Sequence, residues 1–220
     1  MRNKFLLLTA FAALAMAPVQ AQETPAGTVF RVDSEASSLR ILAWPDGPLK
    51  RFGHHHVISH HGISGTVDVA ADPLQSSFML QLMVADLVVD DPDLRALESE
   101  EFEGEVPQDD IDGTKANMLG EDLLNGDQFP TIQIQSAAIE GELPDVNITA
   151  TYTVLGADQT VTVPATVELS EDRLIARGEI ELLHEAFGLS PFTAMGGALS
   201  VRDLLVFKYE IVGTRVADVE

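Results

Sequence analysis

Asn147-Ile148-Thr149-Ala150-Thr151-Tyr152-Thr153-Val154 is the stretch whose reading decides the fold. Successive side chains of an extended chain point to opposite sides, so Ile148, Ala150, Tyr152 and Val154 share one face and the polar residues share the other. Such period-two alternation reads as a strand with one buried and one wet face. The pattern runs on outward. Val161, Val163, Ala165, Val167 and Leu169 alternate with Thr160, Thr162, Thr166 and Glu168, and Leu174, Ala176, Ile180 and Leu182 alternate with Arg177, Glu179 and Glu181. Leu205, Phe207, Tyr209 and Ile211 close the series. Pro164 has no N–H to give to a ladder and predicts an edge or a bulge at its position.

Toward the N-terminus, Thr28–Val32, Ser38–Trp44, Val57–Ser59 and Gly65–Ala70 read as short strands. Ser76–Val89 reads as a longer one, with Phe78, Leu80, Leu82 and Val84 on one face and Met79 and Met83 on the other. The exception lies between Asp90 and Gly126. Asp91-Pro92-Asp93 opens a predicted helix over Leu94–Phe102, and Pro107 opens a second that ends near Leu124, with Asn125-Gly126 as its stop. Many antiparallel strands, one helical insertion over about 92–124 and no βαβ rhythm point to an all-β fold. The expected architecture is an antiparallel barrel of about eight strands, a size with room for side chains or one slim ligand, with a sandwich as the alternative because periodicity alone does not decide closure.

Composition bounds the rest. The chain has 220 residues, 35 acidic against 13 basic side chains, a formal net charge of −22 and no cysteine. Its length suits one domain, expected over 28–216, with a short leader at 22–27 and a tail at 217–220. A strongly acidic surface repels phosphate backbones and anionic headgroups, which excludes nucleic acid as a partner and speaks against electrostatic membrane docking. Residues 1–21 read as a secretory signal peptide: Arg2 and Lys4, then an apolar run from Phe5 to Ala17, then Val19-Gln20-Ala21 as the cleavage site. The run is shorter than the roughly 20 residues a spanning helix needs. Removal takes Arg2 and Lys4 and no acid, so 11 basic against 35 acidic side chains leave −24. A periplasmic location is expected, with no membrane span; a homodimer is left open.

The order of motifs over Thr28 to Arg215 resembles the YceI family of secreted, lipocalin-like barrels. The resemblance rests on Thr28-Val29-Phe30-Arg31-Val32-Asp33, on Gly65-Thr66-Val67 after a histidine-rich turn, and on Asn125-Gly126-Asp127-Gln128-Phe129-Pro130 leading from a helix into a strand. It continues in Tyr152-Thr153-Val154-Leu155-Gly156, Gln159-Thr160-Val161 and Phe187-Gly188-Leu189-Ser190-Pro191-Phe192. Phe52-Gly53-His54-His55-His56-Val57 departs from the glycine-rich turn usual in the family. The resemblance implies binding without catalysis: a polyisoprenoid or quinone-like lipid held in an apolar cavity, no cofactor being required. Phe30, Trp44, Phe78, Leu80, Leu82, Tyr152 and Phe192 are the expected pocket contacts.

Five of six histidines cluster at His54, His55, His56, His60 and His61. On an extended segment His54 and His56 share a face. Imidazoles are the commonest zinc and copper ligands, so His54, His56 and a third from His184 form the alternative expectation, a metal-binding or metal-dependent protein. No Gly-x-Ser-x-Gly elbow and no cysteine nucleophile is present, and the acidic run Glu98, Glu100, Glu101, Glu103, Glu105, Asp109, Asp110, Asp112 reads as a solvated face.

Overall fold

The structure, a computed structural model, describes residues 27–217. The expected signal peptide, most of the leader and most of the tail lie outside them.

The chain enters on β1 (Thr28–Val32) and, after a turn, continues as β2 (Ser38–Ala43). β3 (Pro45–Asp46) leaves the wall, and β4 (His56–His60) and β5 (Ser64–Val69) return along it. β6 (Ser77–Met83) and the short β7 (Val88–Val89) lead into α1 (Pro92–Arg95) and α2 (Gln108–Leu119). Four long strands follow, β8 (Thr131–Glu142), β9 (Asp145–Val154), β10 (Ala157–Leu169) and β11 (Arg173–Leu183). β12 (Thr193–Ala194), β13 (Leu199–Val201) and β14 (Leu204–Arg215) complete the chain.

The main sheet runs β1-β5-β6-β8-β9-β10-β11-β14, and β14 pairs back onto β1, so the wall closes. β2 extends β1 along β14, and β4 extends β5 along β2, so these two pairs act as single kinked staves in a closed eight-stranded antiparallel barrel of lipocalin type. Closure leaves no long free edge, which answers the alternation of the sequence with one buried face all round.

Each kink is repaired by a buried polar side chain. Where β1 turns away from β14, the Val212 N–H donates to Ser37 Oγ at 2.9 Å in place of a backbone carbonyl. Where β4 turns into β5, the His60 ring closes the gap: Nδ1 accepts the Gly62 N–H at 3.0 Å, so Nε2 carries the proton and donates to the Met83 carbonyl at 3.0 Å. Burial pushes the pKa of His60 below its ordinary value.

Val146, Ile148, Ala150, Val161, Val163 and Ala165 of β9 and β10 form one buried cluster, as their alternation predicts. Phe30, Val69 and Leu174 pack together toward one end of the barrel. At the other end Ile111, Met118 and Leu119 of α2 pack on Ala43, Ile58, Val84, Leu87 and Val89.

Several local expectations are corrected. Ser76–Val89 is not one strand: the chain breaks at Val84–Asp86 into a 3-10 turn, where the Val84 N–H turns to the Pro130 carbonyl. Met79 and Met83 face solvent, Met79 at 59% exposure. The first helix is one turn long, because Arg95 folds inward and Phe102 is buried instead of continuing a surface helix. The second stops at Leu119 and not near Leu124, capped at Gly120. Glu98 is no part of a solvated face: its side chain is 1% exposed and pairs with Arg40 at 3.1 Å and with Lys208. Pro164 stands just past the last β10–β11 pair, Thr166 with Arg177, and its carbonyl accepts the Tyr209 hydroxyl. No helix among the described residues is long and apolar enough to cross a membrane.

Candidate functional site

A cavity of about 500 Å³ occupies the barrel interior, a size typical of small-ligand pockets. The inward faces of the long strands supply its wall, including Ile134, Ile148, Val163, Ile180 and Ile211. Among the described residues, no Lys, Arg, Asp or Glu lines it. Phe187 stands between Tyr152 and Phe207, with ring centroids 5.5 and 5.1 Å away, and narrows the bore on one side. It is placed there by a 3-10 turn over His184–Phe187 that ends on Gly188 at φ 70, a left-handed conformation that glycine adopts without strain. Burial raises the Tyr152 hydroxyl to about 12, so it is a neutral phenol within the apolar wall.

Of the expected pocket contacts, Trp44, Phe78, Leu80, Leu82, Tyr152 and Phe192 line the cavity. Phe30 does not. Its side chain packs against Val69 and Leu174, because β1 pairs with the end of β14, Phe30 opposite Arg215, away from the open bore. Phe187 and Phe207 are cavity residues the pocket expectation missed. Phe207 was legible on an alternating face, whereas Phe187 lies in a loop where periodicity carries no signal.

Four polar lining residues gather at the α2 end. His54 and His56, on either side of the β4 start, lie on one face with ring centroids 6.2 Å apart. Thr114 and Asn117, three residues apart on α2, join them. Behind His56 stands a buried network. Its Nδ1 lies 2.6 Å from Asp90 Oδ2, and the Asp90 carboxylate, fully buried, also accepts the Val57 N–H at 2.9 Å and Arg95 at 2.6 Å. The same guanidinium donates to the His55 and Phe102 carbonyls, both at 2.7 Å. Burial alone would raise the Asp90 carboxyl; the His56 and Val57 hydrogen bonds, with His56 and Arg95, outweigh it and hold it below the ordinary value. A carboxylate only accepts, so His56 Nδ1 carries a proton and Nε2, 3.3 Å from Thr114 Oγ1, is the atom left on the cavity side.

The sequence singled out His56 but not its supports. Asp90 marks only the boundary of the helical insertion in the sequence, and its signal is a backbone one visible only in the fold, φ 58 at a non-glycine residue. Arg95 did carry a readable signal as the only basic residue between Asp90 and Gly113.

The three-histidine set of the alternative expectation is not assembled. Among the described residues no group of three or more His, Cys, Asp or Glu side chains is placed to hold a metal ion. Each imidazole has other business: His54 pairs with Asp110 at 3.2 Å, His56 with Asp90, and His184 Nδ1 donates to the Asp203 carbonyl at 2.8 Å. His55 donates to the Glu101 carbonyl.

Comparison with known proteins agrees with this architecture. The barrel is similar to Burkholderia cenocepacia BcnA, with a TM-score of 0.59 at 19% identity, covering 82% of this chain and 98% of that one. It is also similar to a Campylobacter jejuni YCEI protein, with a TM-score of 0.51 at 10% identity over 70% of this chain and 82% of that one. No curated protein sequence matches. Residues 30–212 match the family model described as the YceI-like domain, a span that runs from within β1 to within β14, and the chain belongs to that family.

Proposed function

We propose that this protein binds a slim apolar or amphiphilic lipid, of the polyisoprenoid or quinone-like class, inside its barrel and holds it for sequestration or transport. The observation that carries the reading is the interior cavity of about 500 Å³ with an apolar wall and, among the described residues, no lining Lys, Arg, Asp or Glu. A chain-like ligand needs no polar anchor to bind there, since each buried methylene is worth about 0.8 kcal/mol. Ten of them would supply roughly 8 kcal/mol, enough to offset much of the association cost. The bound tail would be shielded from water while its head stays near the polar α2 end. Export to the periplasm, on the strength of the signal-like residues 1–21, is the compartment in which we place this role. Binding without turnover is the activity we assign, on the strength of the predominantly apolar wall.

The test is to purify the mature protein under native conditions, extract it with organic solvent and analyse the extract by mass spectrometry. A lipid recovered in near-stoichiometric amount is expected. Repeated absence of any lipid, together with failure of added isoprenoid or quinone to bind, would overturn the reading.

A further inference from the structure

The Asp90–His56–Thr114 chain does more than the fold requires. If Asp90 served only to neutralise Arg95, the His56 ring would not need to stand between that carboxylate and the cavity. Instead the ring spans the two: Nδ1 is held at 2.6 Å by a carboxylate, which is itself held by Arg95 and the Val57 N–H, and Nε2 emerges beside Thr114, with Asn117, one turn further along α2, also lining the cavity. That buried backing fixes both the tautomer and the orientation of the imidazole, as carboxylate-backed histidines are fixed in binding sites generally. The bond on the cavity side is the weak one, 3.3 Å against 2.6 Å, so a ligand group can replace Thr114 as the partner of Nε2 at little cost.

We infer that His56 Nε2, with Thr114 and Asn117, is a head-group subsite that selects a lipid ending in a hydroxyl, an alcohol or a hydroquinone. The inference rests on the cavity-binding reading above and names the ligand's polar end. With Nδ1 protonated in the neutral ring, Nε2 is a pure acceptor, and the head group must bring a donor to it. A hydroxyl does so and can in turn accept from the Asn117 amide. A methyl ether or a bare hydrocarbon end cannot donate and would leave Nε2 to its weak bond with Thr114. A phosphate or carboxylate head meets a different obstacle. Among the described residues no Lys or Arg lines the cavity, the Arg95 guanidinium is taken up by Asp90 and two carbonyls, and Asp110 flanks the site through His54. An anion brought there would be desolvated without a countercharge.

The experiment measures binding of geranylgeraniol, its methyl ether and geranylgeranyl phosphate to the mature protein, and repeats all three on His56→Asn. An asparagine amide sits where the Nδ1 side of the ring sat, so it can still donate to Asp90 while the Nε2 acceptor is gone. The wild-type protein is expected to prefer the alcohol over the ether roughly three- to tenfold, the worth of one hydrogen bond, with the phosphate weakest. In His56→Asn the alcohol-to-ether ratio is expected to fall to about one while the ether itself still binds. Equal binding of alcohol and ether to the wild-type protein, or phosphate binding as tightly as the alcohol, overturns the head-group inference and leaves the cavity reading standing. Binding of none of the three overturns the cavity reading itself. The wild-type ratio tests the inference without depending on how well the variant folds.

Discussion

β4 carries a histidine at each end, and the two are bonded in opposite senses. At His60, Nδ1 accepts a backbone N–H and Nε2 donates to a backbone carbonyl, so both ring nitrogens are spent on closing the kink between β4 and β5. At His56, Nδ1 donates to a buried carboxylate, and Nε2 is left with one long contact on the cavity side. Four residues apart in the same histidine-rich stretch, one ring belongs to the wall and the other to the cavity. Clustering in sequence therefore says little about shared chemistry. What decides the role is which backbone or carboxylate group each ring meets.

Substitutions can pull this contrast apart. The largest effect is expected from Asp90→Ala, which leaves the Arg95 guanidinium buried without its carboxylate and releases His56 Nδ1 at once. A loss of about 3–5 kcal/mol in a urea titration is the expected outcome. His60→Ala removes two hydrogen bonds and a fully buried ring, and roughly 2–3 kcal/mol should go with them. The alcohol-to-ether preference of whatever remains folded should not move, and a changed preference would show that the two rings are not separate in role.

The same contrast has a pH signature. Unfolded, His60 titrates at 6.5, and folded it titrates lower because burial disfavours the charged ring. Above the unfolded value both states are neutral and the contribution of the ring is complete. As the pH falls below it the unfolded chain takes up the proton first, so stability declines until the folded value is passed, by less than about 1.4 kcal/mol per pH unit. Denaturation midpoints collected downward from neutral pH should show this slope in the wild-type protein and a flatter one in His60→Gln; equal slopes would contradict the assignment of the decline to this ring. The smallest effect on stability, within about 1 kcal/mol, is expected from His56→Asn, which keeps the Asp90 hydrogen bond. Thermal melts of that variant close to wild type, beside a lost head-group preference, would complete the separation of wall from cavity.

The barrel was legible because its long strands obey one rule. From Asn147 to Leu169 nearly every inward residue is apolar and most outward ones are polar, and closure of the sheet carries that rule around the wall. The kinks were not legible. β1 and β2, or β4 and β5, read as separate short strands, since only pairing along a common neighbour reveals them as single staves. The helical insertion was found, but its limits followed tertiary demands: Arg95 turned inward to Asp90, and Phe102 buried, both end the first helix early. The strand residues of the cavity wall follow the alternating pattern, whereas Phe187 enters from a loop and Phe30 packs instead against Val69 and Leu174 beside the barrel's end. The polar site escaped because Asp90 and Thr114 are brought to His56 across 34 and 58 positions of chain, which no local pattern encodes, and Arg95 joins it only through Asp90.

The central claim, that the barrel takes up an apolar chain, can be read from the protein's single tryptophan. Trp44 lines the cavity, edge-on to Phe102 with its Nε1–H on Glu101, so a ligand entering beside it changes its surroundings. Titration with geranylgeraniol should change Trp44 emission saturably, with an end point near one lipid per chain. Emission that stays constant through a molar excess of the lipid would contradict the account.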